Sequence, residues 1–204
     1  MRLYLSSFKI GEHFDSLSSM YGDSQIGYVA NALDHISDRT WLESWIKSDI
    51  EQLTSLGLRS RRLDLRDFFA SDMEIGPVIS ELGGIWVSGG NVFVLRQAMK
   101  LSGLDAWLLS ARVPDGFVYG GYSAACCVLA PSLHAYAIVD DPSVHPYEQN
   151  AETIWEGLGL LDFAFMPHFQ SRHSESRLID QEIAYCEEHG IAYRTFRDGE
   201  VLIL

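Results

Sequence analysis

Three short stretches carry residue types suited to nucleophilic chemistry: Gly121-Tyr122-Ser123-Ala124-Ala125, Ser88-Gly89-Gly90-Asn91 and Pro167-His168-Phe169. Each follows a short apolar run, so each falls where a buried strand is expected to end. A serine among small neighbours at a strand-to-helix turn is the setting of a nucleophile elbow. There the hydroxyl projects from a sharp bend and the next backbone N–H, that of Ala124, can face a developing oxyanion. Serine is also a common helix cap, and the motif alone leaves both readings open. Two consecutive glycines let backbone N–H groups approach a ligand with no Cβ in the way; Gly89 and Gly90 could complete an oxyanion hole, or simply form a tight turn. A serine hydroxyl stays a weak nucleophile until a base takes its proton, and histidine is the usual base near neutral pH. Of seven histidines, His168 is best placed, because it follows the apolar run Phe163-Ala164-Phe165-Met166-Pro167, whereas the others lie in polar or helical surroundings.

Beyond His168, the stretch from Gln170 to Arg177 gathers Arg172, His173 and Arg177 in an otherwise acidic chain. An arginine fork donates two parallel hydrogen bonds to a carboxylate, so this loop suits an anion pocket. Solvated arginines at a helix start are the plainer alternative.

Such groups need strands and helices to hold them. Arg2–Ser7 and Ile26–Asn31 read as strands. Trp41–Leu56 has apolar residues at helical spacing and stops at Gly57; Arg62–Leu65 can be a third strand, Met73–Leu82 a helix and Gly84–Val87 a buried strand. Helix is predicted again over Asn91–Leu101, strand over Gly116–Tyr119, short helix over Ala124–Leu129, and strands over Tyr136–Val139 and Asp162–Met166. Ser176–Glu188 reads as a helix closed by Gly190, and Ile191–Leu204 as two strands around an Asp198-Gly199 hairpin turn. The alternation predicts an α/β fold: a three-layer arrangement with a mostly parallel sheet, helices on both faces and a late β-hairpin. In such folds ligands bind outside the carboxyl ends of the strands, where the three stretches lie.

Taken in order, Gly84-Ile85-Trp86-Val87-Ser88-Gly89-Gly90-Asn91, Gly121-Tyr122-Ser123-Ala124-Ala125 and Pro167-His168-Phe169 resemble the aspartyl dipeptidase (peptidase E) family of serine peptidases, related in fold to class I glutamine amidotransferases and to cyanophycinase. The resemblance implies a Ser-His-acid triad, with Ser123 as nucleophile, His168 as base, and Gly89, Gly90 and Ala124 as oxyanion donors. It places the acid before a glycine late in the chain, which is Asp198 here. Asp140 and Asp141, following a predicted strand soon after the nucleophile helix, are the other candidates. It also implies that Arg177 receives the side chain of an N-terminal aspartate. The chain departs from the family in carrying Ala125 and Ser88 where glycines are usual. Other readings on the same fold are a cyanophycinase-like or other amide hydrolase and a noncatalytic binding protein.

Bulk properties narrow the class. At 204 residues, 47% of them hydrophobic, the chain can bury one good core, so a single domain over residues 1–204 is expected. Fifteen basic against 28 acidic residues give a formal charge of −13, which disfavours nucleic acid and anionic membranes as partners. A small peptide is the expected partner, the subunit count is left open, and no apolar run approaches a membrane span or a signal peptide, so a cytoplasmic location is expected. The three cysteines form no disulfide framework and no metal-binding pair, and no His-Glu-x-x-His spacing occurs, so neither metal nor cofactor is expected.

Overall fold

The computed structural model describes residues 1–149 and 152–204. Its strands are β1 (Arg2–Ser6), β2 (Gln25–Val29), β3 (Arg59–Arg62), β4 (Gly84–Val87), β5 (Val118–Tyr122), β6 (Ala164–Met166), β7 (Tyr193–Thr195) and β8 (Val201–Ile203). Six of them form one sheet in the order β3-β2-β4-β5-β1-β8, parallel throughout except that β8 runs antiparallel to β1 at the edge.

Side chains alternate between the faces of a strand, and here both faces are apolar. Leu3, Leu5, Ile85 and Val87 join one buried cluster, while Tyr4 and Trp86, between them in sequence, join the other. The Trp86 face is covered by α1 (Phe14–Tyr21) and α2 (Arg39–Ser55), through Leu17, Leu42, Ile46 and Leu53. The opposite face is covered by α3 (Ile75–Ser80), α4 (Val92–Ser102), α5 (Leu104–Leu108), α6 (Ala124–Cys127) and α7 (Ser176–His189), with Phe93, Ala125 and Ile179 among the buried contacts. The layered α/β architecture expected from the sequence is therefore present. Local signals set the helix limits: Asn91 Oδ1 accepts the Phe93 and Val94 N–H groups at 2.9 and 3.0 Å to start α4, and left-handed Gly103 and Gly190 end α4 and α7.

Three local expectations give way, the first being the strand at Arg62–Leu65, which lies earlier, at Arg59–Arg62, with a 3-10 turn at Leu65–Phe68 after it. The late strands do not form a hairpin: β7 lies parallel to β6 in a separate two-stranded sheet, while β8 adds to β1. Phe196 draws the chain toward β6, stacking on Phe165 at 3.9 Å and donating its N–H to Met166 O at 2.8 Å, and the open edge of β1 takes up Val201–Ile203. The Asp198-Gly199 turn thus links two sheets. The strand expected at Tyr136–Val139 is a 3-10 turn, His134–Ile138; the Tyr136 carbonyl accepts from the N–H groups of Val139 and Asp140, and its hydroxyl donates to Phe165 O at 3.2 Å. A short apolar run is compatible with either state, and packing beneath α7 decides.

Candidate functional site

Strands β1, β4 and β5 are neighbours and run the same way, so their carboxyl ends meet. At the end of β5, Ser123 has φ 53° and ψ −115°, a conformation that costs energy for a residue with a Cβ. The bend is tight because its surroundings are small. A Cβ on Gly121 would lie 2.5 Å from Val87 O and 2.6 Å from Ala125 Cβ, so position 121 must be glycine and position 125 must be small.

His168 follows β6, also with positive φ, 59°. Its Nε2 lies 3.1 Å from Ser123 Oγ and its Nδ1 lies 2.7 Å from Asp198 Oδ1. A carboxylate on Nδ1 holds that nitrogen as the N–H and leaves the Nε2 lone pair toward the serine hydroxyl. Ser7, just beyond β1, ties the parts together: its Oγ accepts the His168 N–H at 2.8 Å, and its hydroxyl lies 3.1 Å from Phe196 O and 3.2 Å from Asp198 Oδ1. Asp198 N–H donates to Ser171 Oγ at 2.8 Å. Burial, reinforced by His173 stacked on it at 3.7 Å, pushes the His168 pKa down to about 4 against the opposing pull of Asp198. The ring is therefore neutral, the state that can accept a proton.

The other acids weighed from the sequence point elsewhere. Asp140 Oδ2 accepts the Val92 N–H at 2.7 Å and so helps to cap α4, while Asp141 is exposed and bound to Ser143. Of the candidate oxyanion donors, Ala124 occupies the first position of α6, whose N–H has no intrahelical partner. Gly90, at φ 137°, lines the recesses on both sides of Ser123; a Cβ there would lie 2.6 Å from Ala32 O. A Cβ on Gly89 would meet the Tyr122 ring at 2.8 Å. Arg177 is exposed on α7 and lines neither recess, and Arg172 is likewise exposed.

One recess, of about 250 Å³, is a groove walled by Phe8, Leu33, Trp41, Trp45 and Tyr122, with Ser123 and His168 at its floor and Glu175 at its rim. The Trp41 and Trp45 rings stack at 5.0 Å, and Trp41 is 42% exposed. Beneath this groove Lys9 Nζ reaches Asp49 Oδ1 at 2.5 Å, and Asp49 Oδ2 accepts from Tyr28 and Tyr122 at 2.8 and 2.7 Å, anchoring the residue before Ser123. The other recess, about 20 Å³, is lined by Ser123, Ala124, Asp140, Glu175 and Glu182 among others. Burial and the neighbouring acids push Glu182 up to about 9, and burial pushes Asp140 up to about 7.

Ser7, Lys9, Asp49, Glu175 and Glu182 were not singled out by sequence reasoning, and His173 was read only as part of an anion pocket. Ser7 was within reach of it, as the last residue of the first predicted strand, Arg2–Ser7, at the same carboxyl edge as the three stretches. Nothing in spacing marks the others. Among the described residues one group of potential metal ligands occurs, on His168, His173 and Glu175, with atoms within 4.8 Å of one another. The two imidazoles are stacked 12° from parallel, so their in-plane lone pairs run side by side instead of converging, and the arrangement is a poor fit to a metal. No helix among the described residues is long and apolar enough to cross a membrane.

Comparison with known proteins gives the same grouping of motifs a family. An uncharacterized peptidase of Listeria monocytogenes is 30% identical over 127 residues, which are 62% of this chain and 58% of that protein. Peptidase E of Streptomyces coelicolor is 31% identical over 129 residues, 61% of this chain and 49% of that protein. The matched stretch thus covers less than two thirds of each relative. Two crystal structures share the fold at a TM-score of 0.70: a candidate peptidase E protein from Listeria monocytogenes, 19% identical with 100% of this chain and 97% of that one covered, and a peptidase from an acI-B1 actinobacterium, 16% identical with 100% and 82% covered. The sequence pattern of Peptidase family S51 matches residues 11–202, and the chain belongs to that family.

Proposed function

We propose that the protein is a serine peptidase that hydrolyses short peptides through an acyl-enzyme on Ser123. The observation that carries this reading is the continuous hydrogen-bonded line from Ser123 Oγ through the His168 ring to Asp198, at 3.1 and 2.7 Å, with the serine held on a strained bend between β5 and α6. Family membership supports it.

In this reading His168 Nε2 takes the Ser123 proton as Oγ attacks the scissile carbonyl, and returns it to the leaving amine. Asp198 keeps the ring in the required tautomer and stabilises the imidazolium that forms. The N–H groups of Gly90 and Ala124, with Gly89 behind them, stabilise the oxyanion. Water then attacks the acyl-enzyme with His168 again as base. The buried neutral imidazole suits a base; the carboxylate beside it offsets the cost of charging it. Because Arg177 lines neither recess, the reading carries no preference for aspartate from that residue.

The test is labelling with a fluorophosphonate, followed by hydrolysis of a dipeptide panel, in the wild-type protein and in Ser123→Ala. Label on Ser123 and peptide cleavage, both lost in the variant, are expected. A wild-type protein that neither labels nor cleaves would reject the reading.

A further inference from the structure

The small recess beside Ser123 holds three carboxyl groups, of which Glu175 also reaches toward the imidazoles of His168 and His173 at 3.8 and 3.7 Å. Asp140, Glu175 and Glu182 line it, and among the described residues no lysine or arginine does. Glu182 is 2% exposed, yet its Oε2 has no hydrogen-bond partner among the described residues. A buried acid next to two others keeps its proton, and its unpartnered oxygen leaves bonding capacity that a donor arriving from outside can fill. The room available, about 20 Å³, admits one water-sized group. An ammonium is such a group: compact, cationic and carrying three donors. Position matters as well. Ser123 and Ala124 form part of the wall, so a group seated there lies beside the carbonyl that Ser123 would attack. The α-nitrogen of a peptide's first residue is only ~2.5 Å from that carbonyl carbon by standard backbone dimensions.

We propose that this recess is a subsite for an ammonium group of the substrate, held by Glu182, Glu175 and Asp140, and that it rejects a carboxylate at the same place. The subsite rests on Ser123 being the nucleophile, the reading proposed for the reaction itself. It assigns a charge preference opposite to the aspartyl one that the family resemblance implies. With Glu182 held at about 9 and Asp140 at about 7, an entering ammonium takes the place of protons that the empty cluster retains. The ammonium has two possible sources, the free amino terminus of the peptide or a short basic side chain on its first residue.

The experiment compares kcat/KM for dipeptides that begin with alanine, N-acetylalanine, asparagine, aspartate or 2,3-diaminopropionate, in the wild-type protein and in Glu182→Gln and Glu175→Gln. The second variant changes a side chain that is 38% exposed and is safe for folding. Free-amine alanine should exceed aspartate by about tenfold or more, corresponding to ~1.4 kcal/mol, and both variants should narrow that gap through KM. Loss of cleavage on acetylation assigns the ammonium to the amino terminus, and a gain with diaminopropionate over asparagine assigns it to the side chain. Aspartate cleaved as well as alanine, or indifference to both acetylation and diaminopropionate, overturns the subsite. Binding is also measured without catalysis. Methylammonium should raise the Tm of the wild-type protein and not that of Glu182→Gln, with acetate inert; no shift overturns the subsite. Failure of fluorophosphonate to label Ser123 while methylammonium still binds would remove the nucleophile and keep the ammonium site, so the two ideas fail separately.

Discussion

Asp49 and Glu182 are buried alike, 3% and 2% exposed, on opposite sides of the central sheet and both within a residue or two of the Ser123 bend. Asp49 is fully engaged: Lys9 neutralises it, and Tyr28 and Tyr122 donate to its second oxygen. Glu182 faces Asp140 and Glu175, and its Oε2 has no partner among the described residues. The difference separates two uses of a buried acid. On the aromatic side the carboxylate completes a network that holds Tyr122, and through it the bend, in place. On the acidic side the carboxyl is left with bonding capacity that the fold itself does not use, beside the atom proposed to react.

A third acid, Asp198, makes the largest test of that distinction. Its value should lie in chemistry and not in folding, since it is partly exposed and bonded to the ring of His168. Asp198→Asn should lower kcat by about 10³–10⁴-fold by presenting the wrong partner to Nδ1, with little change in the urea midpoint. Equal losses of activity and stability would merge it with Asp49. For Asp49 itself, the expected effect is on stability: Asp49→Ala strands Lys9 and two tyrosine hydroxyls and should cost about 3–5 kcal/mol in urea denaturation. The double replacement Lys9→Met with Asp49→Leu, which removes the charges together, should recover most of that loss.

Glu182→Gln should do the reverse and stabilise the free protein at neutral pH, by about 2 kcal/mol. The sign follows from a folded pKa raised to about 9 from the ordinary 4.5. A carboxyl neutral in the fold and ionised when unfolded contributes its full stability below the ordinary pKa and loses it as pH rises toward the folded one. Wild type and variant should therefore converge near the ordinary carboxyl range and separate through neutral pH. An unchanged or lowered Tm at neutral pH would mean that Glu182 is as well served as Asp49.

The smallest effect belongs to His168. Its folded pKa, about 4, lies below the ordinary 6.5, so the neutral ring contributes stability that is complete above the ordinary value and declines as pH falls toward the folded one. At about pH 5.5 the decline should be about 1 kcal/mol, and it should vanish in His168→Asn. The acid limb of kcat/KM should fall correspondingly below the usual histidine range, and His173→Phe, which removes the stacked imidazole that helps to lower the His168 pKa, should move it up by a fraction of a pH unit.

Ser123, His168 and the glycines at positions 89, 90 and 121 were legible because each stands next to a strand-length apolar run, and in a parallel sheet the carboxyl ends of such runs must gather on one edge. The layered fold was legible for the same reason: apolar stretches alternate with helical spacing, and both faces of the strands are apolar. For the acid, the family resemblance favoured Asp198, but residue spacing alone left Asp140 and Asp141 open, since they too follow a short apolar run. Tertiary structure sends β7 to β6 and β8 to β1, which brings the Asp198 turn to the His168 ring, while Asp140 is taken up at the start of α4. The recess of three acids was equally hidden. Glu175, at the N-cap of α7, and Glu182, two turns further along it, share one stretch of chain, but Asp140 comes from a distant one, and each acid alone reads as an ordinary surface charge. Local sequence sets which faces of an element are apolar and where it stops; what a charged side chain meets is set by contacts between segments distant in the chain, and only the assembled layers supply those.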